Sequence, residues 1–457
     1  MTFVAIDPTD GQELERHPDA TSTEVEDAVR AAHEAWLPWQ ETSFGERAER
    51  LRAMAGLLEE RSRRYAELMT REMGKPVGQA ESEARKCAEA ARWCAEHAEE
   101  ALAPVPVETG AHASYWAYRP LGVILGIMPW NFPFWQVVRF AAPALAAGNA
   151  ALLKHAPNVP GCARALEELL RDAGFPEGLF ASLFLDDEET EALVDHPLVR
   201  GVSLTGSVGA GRAVAARAGR ALKPCVLELG GSDPSVVLAD ADVEAAAEAC
   251  VRGRLQNTGQ SCIAAKRFVV VEEVREAFQE RVTALLREAN EAMGDPMDPE
   301  TRLGPMARED LRDHLHDQVR RSVEAGARLE LGGEIPERDG WWYPATLLTE
   351  VTPEMPAWTE ELFGPVAVLI EARNESDAVR IANDTDFGLG AAVYTGDREN
   401  GERLAREALE AGNCFVNGIV RSDPRLPFGG VKDSGVGREL SPLGLRAFTN
   451  VKTVWVE

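Results

Sequence analysis

Between residues 120 and 153 the chain carries a single charged side chain, Arg139, and the rest of the fold has to be built around that stretch. A segment so poor in charge must be buried in protein or in lipid. Pro120, Gly122, Gly126, Pro129, Pro133, Pro143 and Gly148 interrupt it, so no unbroken apolar helix is long enough to cross a bilayer. It reads as the interior of a globular protein. From Gly122 onward, short apolar runs alternate with helical periods. Strands are predicted over 123–127, 150–154, 179–185, 199–204 and 225–229, and helices over 134–147, 161–173, 189–195 and 207–218. Five buried strands joined by helical crossovers predict an α/β fold: a parallel sheet with helices on both faces, which binds nucleotides at the strand C-termini.

The flanking sequence is different in kind. Residues 21–103 are helical in pattern, with helices over 23–36, 44–72 and 81–102, and end in a Pro/Gly breaker cluster over 104–110. A strand over 114–119 follows. After Ser235 a second α/β series runs to about residue 428, with strands near 268–271, 366–370, 391–394 and 414–417. The tail over 448–456 reads as a strand in need of a partner, often another subunit.

Charge excludes whole classes of function. Seventy-five acidic against 48 basic residues give a net charge of −27, which repels phosphate backbones and argues against nucleic-acid binding. Only seven of the 48 basic residues are lysine, leaving 41 arginines; the strongly hydrated acidic surface this implies suggests adaptation to high salt. Seven cysteines (Cys87, Cys94, Cys162, Cys225, Cys250, Cys262 and Cys414) are scattered, odd in number and without paired ligand spacing. No disulfide framework or metal site is expected, and a reducing cytoplasm is. The first residues show no basic, then apolar, secretion signal.

Six of those cysteines fit the description of small buried hydrophobes. Cys262 ends the polar run Gln-Asn-Thr-Gly-Gln-Ser-Cys, loop-like and without apolar periodicity, where a thiol meets ligand and serves as a nucleophile if its thiolate is stabilised. Glu228 ends an apolar strand before Gly230 and Gly231. It is either a solvent-facing strand end or a desolvated carboxylate suited to general base work. Lys154, one of few lysines, ends a buried strand and can hold ribose hydroxyls or phosphate. Thr205, Gly206 and Ser207 open a Gly-containing turn before a helix whose free N–H groups can face a pyrophosphate; alone, this is equally a tight helix start. Asn131, fixed between Pro129 and Pro133, is a capping side chain or an oxyanion donor. Arg139 needs an anion, either an internal carboxylate or that of a substrate.

In this order and register, the motifs at 129–133, 154, 205–211, 228–231, 259–262, 360–365 and 427–435 resemble those of the NAD(P)-dependent aldehyde dehydrogenase superfamily. Within it the chain is most similar to bacterial succinate-semialdehyde dehydrogenases, through 153–158 and 421–428. The resemblance implies a Rossmann-like nucleotide-binding domain (1–103, 122–229 and 429–447), an α/β catalytic domain (230–428) and a small β oligomerisation arm (104–121 and 448–457). It implies that Cys262 attacks the aldehyde, that Asn131 and the Cys262 N–H hold the oxyanion, and that Glu228 activates water against the thioester. NAD or NADP would lie against Trp130, Lys154, Thr205, Gly206, Ser207, Leu229, Gly230, Glu361 and Phe363. Arg139 matches an arginine that holds the substrate carboxylate in semialdehyde enzymes. A second such arginine is Gln256 here, and Arg421 and Ser422 are candidates to replace it. Pro157 stands where relatives often carry an acid gripping the ribose 2′-hydroxyl, which predicts that NADP is tolerated beside NAD. A broader aldehyde dehydrogenase, a CoA-acylating semialdehyde enzyme and, from another class, a cofactor-free thiol hydrolase are the rival readings. A homodimer or homotetramer acting on a small semialdehyde, without nucleic acid or membrane, is expected.

Overall fold

A computed structural model describes residues 3–457; residues 1 and 2, which the sequence assigns to the first domain, lie outside the described residues. The apolar runs form a six-stranded sheet in the order Gly435–Val436, Cys225–Glu228, Val199–Thr205, Val123–Met128, Ala150–His155 and Phe180–Leu183. All neighbours are parallel except the first pair. Successive strands step one way from Val123–Met128 and then return to its other side. The crevice of such a sheet therefore opens at the C-terminal ends of Val123–Met128 and Val199–Thr205. Register places Ile127 beside both Lys154 and Leu204, and Thr205 beside Glu228, so the candidate residues share one edge.

A second sheet of seven strands runs Arg328–Leu331, Thr346–Thr349, Val366–Ala372, Ala265–Val271, Asp233–Val237, Gly390–Tyr394 and Asn413–Val416. Only its first pair is antiparallel. Asp233–Val237 is central despite Pro234, which sits where the register slips by one residue against Ala265–Val271, and a bulge of that kind tolerates the missing N–H. The helical N-terminal region packs on the first sheet. The segment 44–72 breaks into two helices, Phe44–Glu60 and Ser62–Met73, at Arg61 (φ −98°, ψ 12°), a kink with no Gly or Pro to announce it.

The tail strand is not left alone. Thr449–Val456 pairs antiparallel with Ala113–Pro120 over all eight residues, and Val105–Pro106 completes a three-stranded sheet. The outer edge of the tail strand has no partner among the described residues, and the strand carries exposed Val451, Trp455 and Val456. Among the described residues, no helix is long and apolar enough to cross a membrane.

Candidate active site

The loop that bears Cys262 is fixed by backbone strain and buried polar contacts. Asn257, Thr258 and Gly259 all have left-handed φ values, 55°, 54° and 72°. Such a run persists only where surroundings over-determine it. A side chain at Gly259 would stand 2.3 Å from the Gly364 carbonyl. Fully buried Arg254 donates to the carbonyls of Gly259 and Leu362, at 3.0 Å each, and of Gly364. Buried Lys266 donates to the Ser261 and Cys262 carbonyls, at 2.9 and 2.7 Å, and pairs with Glu361 at 3.3 Å. Glu361 in turn accepts from the Gly231 N–H at 3.0 Å. One network thus ties the nucleophile loop, the Gly230–Gly231 turn and the loop of Glu361 and Phe363.

Asn131 is brought to the same place. Its Nδ2 donates to the Gln260 carbonyl at 3.0 Å, leaving one of its two amide hydrogens, and its Oδ1 accepts from Gln136 Nε2 at 3.0 Å. Asn257 Nδ2 donates to the Asn131 carbonyl at 2.7 Å. Behind it, buried Glu83 accepts from the Phe134 and Trp135 N–H groups, at 3.0 and 2.9 Å, and pairs with buried Lys75, whose ammonium covers the Phe132 ring. His155 Nδ1 accepts from the Ala156 N–H, so Nε2 carries the proton donated to the Pro133 carbonyl at 2.9 Å. These contacts preorganise the amide, as a stabiliser of developing charge requires.

Cys262 is half-buried, and its surroundings push the thiol up to about 12, burial outweighing the pull of Lys266 and Arg139. The stabilisation of the thiolate on which the nucleophile reading depends is opposed here by burial. Glu228 is buried, and neither of its carboxyl oxygens has a hydrogen-bond partner among the described residues. Burial first, and then the nearby Glu439, hold its carboxyl well above the ordinary range. Of the two readings of Glu228, the desolvated one is observed. Gly429 makes room for it: a Cβ there would lie 2.7 Å from Glu228 Oε1.

Arg139 lies against an internal carboxylate: its guanidinium is ion-paired with Glu439 and donates to Thr205 Oγ1 at 3.3 Å. Glu439 also accepts from Ser203 at 3.4 Å. Sequence reasoning missed this second acid beside Glu228; it falls in a polar stretch after a turn, and nothing local marks it. Gln256 is exposed at the end of the helix Val243–Leu255, and Arg421 is exposed. Ser422 is buried and accepts from Lys86 at 2.6 Å.

The groove beside this site fits a dinucleotide. Lys154, mostly buried, has no hydrogen-bond acceptor among the described residues, and burial lowers its pKa. Ser207 caps the helix Val208–Arg220, accepting from Ala210 at 3.3 Å, while the Val208 and Gly209 N–H groups have no acceptor among the described residues. Gly206 donates to the Glu228 carbonyl at 3.0 Å. Leu229 packs so closely on Gly211 that a Cβ there would meet it at 2.5 Å. At Gly230 a Cβ would meet Glu361 at 2.4 Å; only bare backbone leaves this cradle free. Trp130 and Phe363 meet edge to face at 5.8 Å, an apolar wall suited to a nicotinamide ring.

Comparison with known proteins agrees along the whole chain. It is 48% identical over 452 residues to the succinate semialdehyde dehydrogenase [NAD(P)+] Sad of Escherichia coli (strain K12), covering 99% of this chain and 97% of that one. It is likewise 48% identical over 459 residues to the succinate-semialdehyde dehydrogenase [NADP(+)] 1 of Mycobacterium tuberculosis (strain ATCC 25618 / H37Rv), covering all of both chains. The crystal structure of succinic semialdehyde dehydrogenase from Streptococcus pyogenes in complex with NADP+ superposes with a TM-score of 0.97 at 35% identity, covering 99% of each chain. Residues 1–454 match the aldehyde dehydrogenase family. A family match over residues 1–454 and 48% identity from end to end to these relatives make this protein a member of the aldehyde dehydrogenase family.

Proposed function

We propose that the protein oxidises succinate semialdehyde to succinate with NAD or NADP, as a soluble cytoplasmic homo-oligomer. The observation that carries the chemistry is the convergence of Asn131, Cys262 and an unpartnered Glu228. The relatives named above supply the substrate. Cys262 Sγ passes its proton to solvent water and bonds to the aldehyde carbon; the oxygen, now negative, lies between the free Asn131 amide hydrogen and the Cys262 N–H. Lys154, Ser207, the Gly230 backbone, Glu361, Trp130 and Phe363 would hold the dinucleotide, which when bound accepts the hydride that leaves this carbon. The product on Cys262 is a thioester. Glu228 takes a proton from water, the water oxygen bonds to the acyl carbon, and the C–S bond breaks to release the acid and the cysteine. A carboxylate with both oxygens open favours water over CoA as acceptor.

Two further features fit the assembly and compartment. The seven cysteines are all free, as in a reducing compartment, and the open edge of Thr449–Val456 with its exposed apolar side chains fits pairing with another subunit.

The test is a panel of C3–C5 semialdehydes and plain aldehydes with both cofactors, scored by kcat/KM, with mass spectrometry of quenched enzyme. Succinate semialdehyde is expected to lead the panel and an acyl adduct to appear on Cys262. An NAD over NADP ratio above a thousandfold would overturn dual cofactor use, and an active enzyme that never shows the adduct would overturn the mechanism.

A further inference from the structure

One cation beside this site lacks an anion. Lys86, on the helix Val77–Ala101, is half-buried, stacks its ammonium on the Trp135 ring at 4.2 Å, and donates its only hydrogen bond among the described residues to Ser422 Oγ at 2.6 Å. Its neighbours are already matched. Lys75 has Glu83, Arg139 has Glu439, and Lys266 has Glu361. Asp423, the acid next to Ser422, is taken by Arg425 at 2.7 Å. An ammonium has three donors, and a buried charge without a counterion is costly, so one hydroxyl and one aromatic face leave Lys86 incompletely satisfied.

Its position relates it to the reacting groups. Trp135 begins the helix Trp135–Ala146, directly after the segment holding Asn131, and Arg139 lies one turn further along the same face. The Arg139 guanidinium covers the Phe428 ring at 4.9 Å and is within electrostatic reach of Lys86, Glu228 and Cys262 alike. Ser422, which holds Lys86 at 2.6 Å, lies on the loop leading to Phe428, the ring that Arg139 covers. Arg421 and Gln256, the other candidates, are exposed.

We propose that Lys86, with Ser422, anchors the remote carboxylate of the substrate and so sets the preference for anionic aldehydes. The inference rests on the function proposed above and names the residue that confers it. A substrate anion completes the coordination of the ammonium, and the uncharged aldehyde of equal length gains nothing from it.

The experiment compares succinate semialdehyde with butanal in the full-length enzyme, its Lys86→Met and Lys86→Arg variants, and Ser422→Ala. A charged hydrogen bond of this kind predicts that Lys86→Met lowers the ratio of kcat/KM for succinate semialdehyde over butanal by about ten- to a hundredfold, through KM rather than kcat. Lys86→Arg restores most of the ratio, and succinate becomes a weaker competitive inhibitor of Lys86→Met by a similar factor. If Lys86→Met does not fold, Ser422→Ala carries the same split on a smaller scale. Equal losses on both aldehydes, or an unchanged ratio, would overturn the anchor alone. A wild-type enzyme indifferent to the carboxylate would remove the proposed substrate and the anchor together.

Discussion

At the scale of single residues, the site works by setting two acids against one arginine. Glu439 lies close enough to add to the effect of burial in raising the proton affinity of Glu228, and Arg139 offsets only part of that. A base must be deprotonated to act, so turnover limited by thioester hydrolysis is expected to rise with pH across a range above that of an ordinary carboxylate. Glu439→Gln removes the repelling charge and frees Arg139 toward Glu228. Both effects lower the Glu228 pKa, so the ascending limb of the kcat–pH profile shifts to lower pH; a profile unmoved by the substitution would count against the pairing. Cys262, Glu228 and Asn131 were legible in the sequence because each interrupts a local pattern: a thiol after a polar loop, a carboxylate after an apolar strand, an amide between prolines. Glu439 and Lys86 were not, because what defines them is a contact with Ser203, 236 positions away, or with Ser422, 336 positions away.

At the scale of elements, the oxyanion amide depends on a helix start. Glu83 caps the N-terminus of Trp135–Ala146 and neutralises Lys75, both fully inside the protein. Glu83→Gln leaves an uncompensated buried ammonium and is expected to cost about 3–5 kcal/mol of stability, read by chemical denaturation. The parallel strands of the first sheet were legible because burial on both faces makes them continuous apolar runs. Four of the strands that escaped have physical reasons for doing so. Phe3–Ile6 and Glu13–His17 form a small partly exposed ladder, Arg328–Leu331 is a charged edge, and Asp233–Val237 hides a central strand behind a proline. The two helices within 44–72 share one apolar stripe, so periodicity alone could not see the break at Arg61.

At the scale of the molecule, two surface properties can be tested directly. Val451→Glu combined with Trp455→Ser puts charge and polarity on the free edge of Thr449–Val456; the mass measured by light scattering is expected to fall to that of a smaller species. The net charge of −27 destabilises the compact state through self-repulsion, which salt screens, whereas exposed ion pairs contribute little each. The melting temperature is therefore expected to rise between 0.01 and 1 M KCl, on the order of a few degrees, and a flat response would remove the argument for a salt-adapted surface. Gly429 bears on what the enzyme can become. The loop from Arg421 to Phe428 carries Ser422, the proposed partner of the substrate carboxylate, but at the next position even a methyl group would crowd the Glu228 carboxyl. Laboratory evolution of substrate range should thus find its useful variants pile up before that glycine and stop abruptly at it.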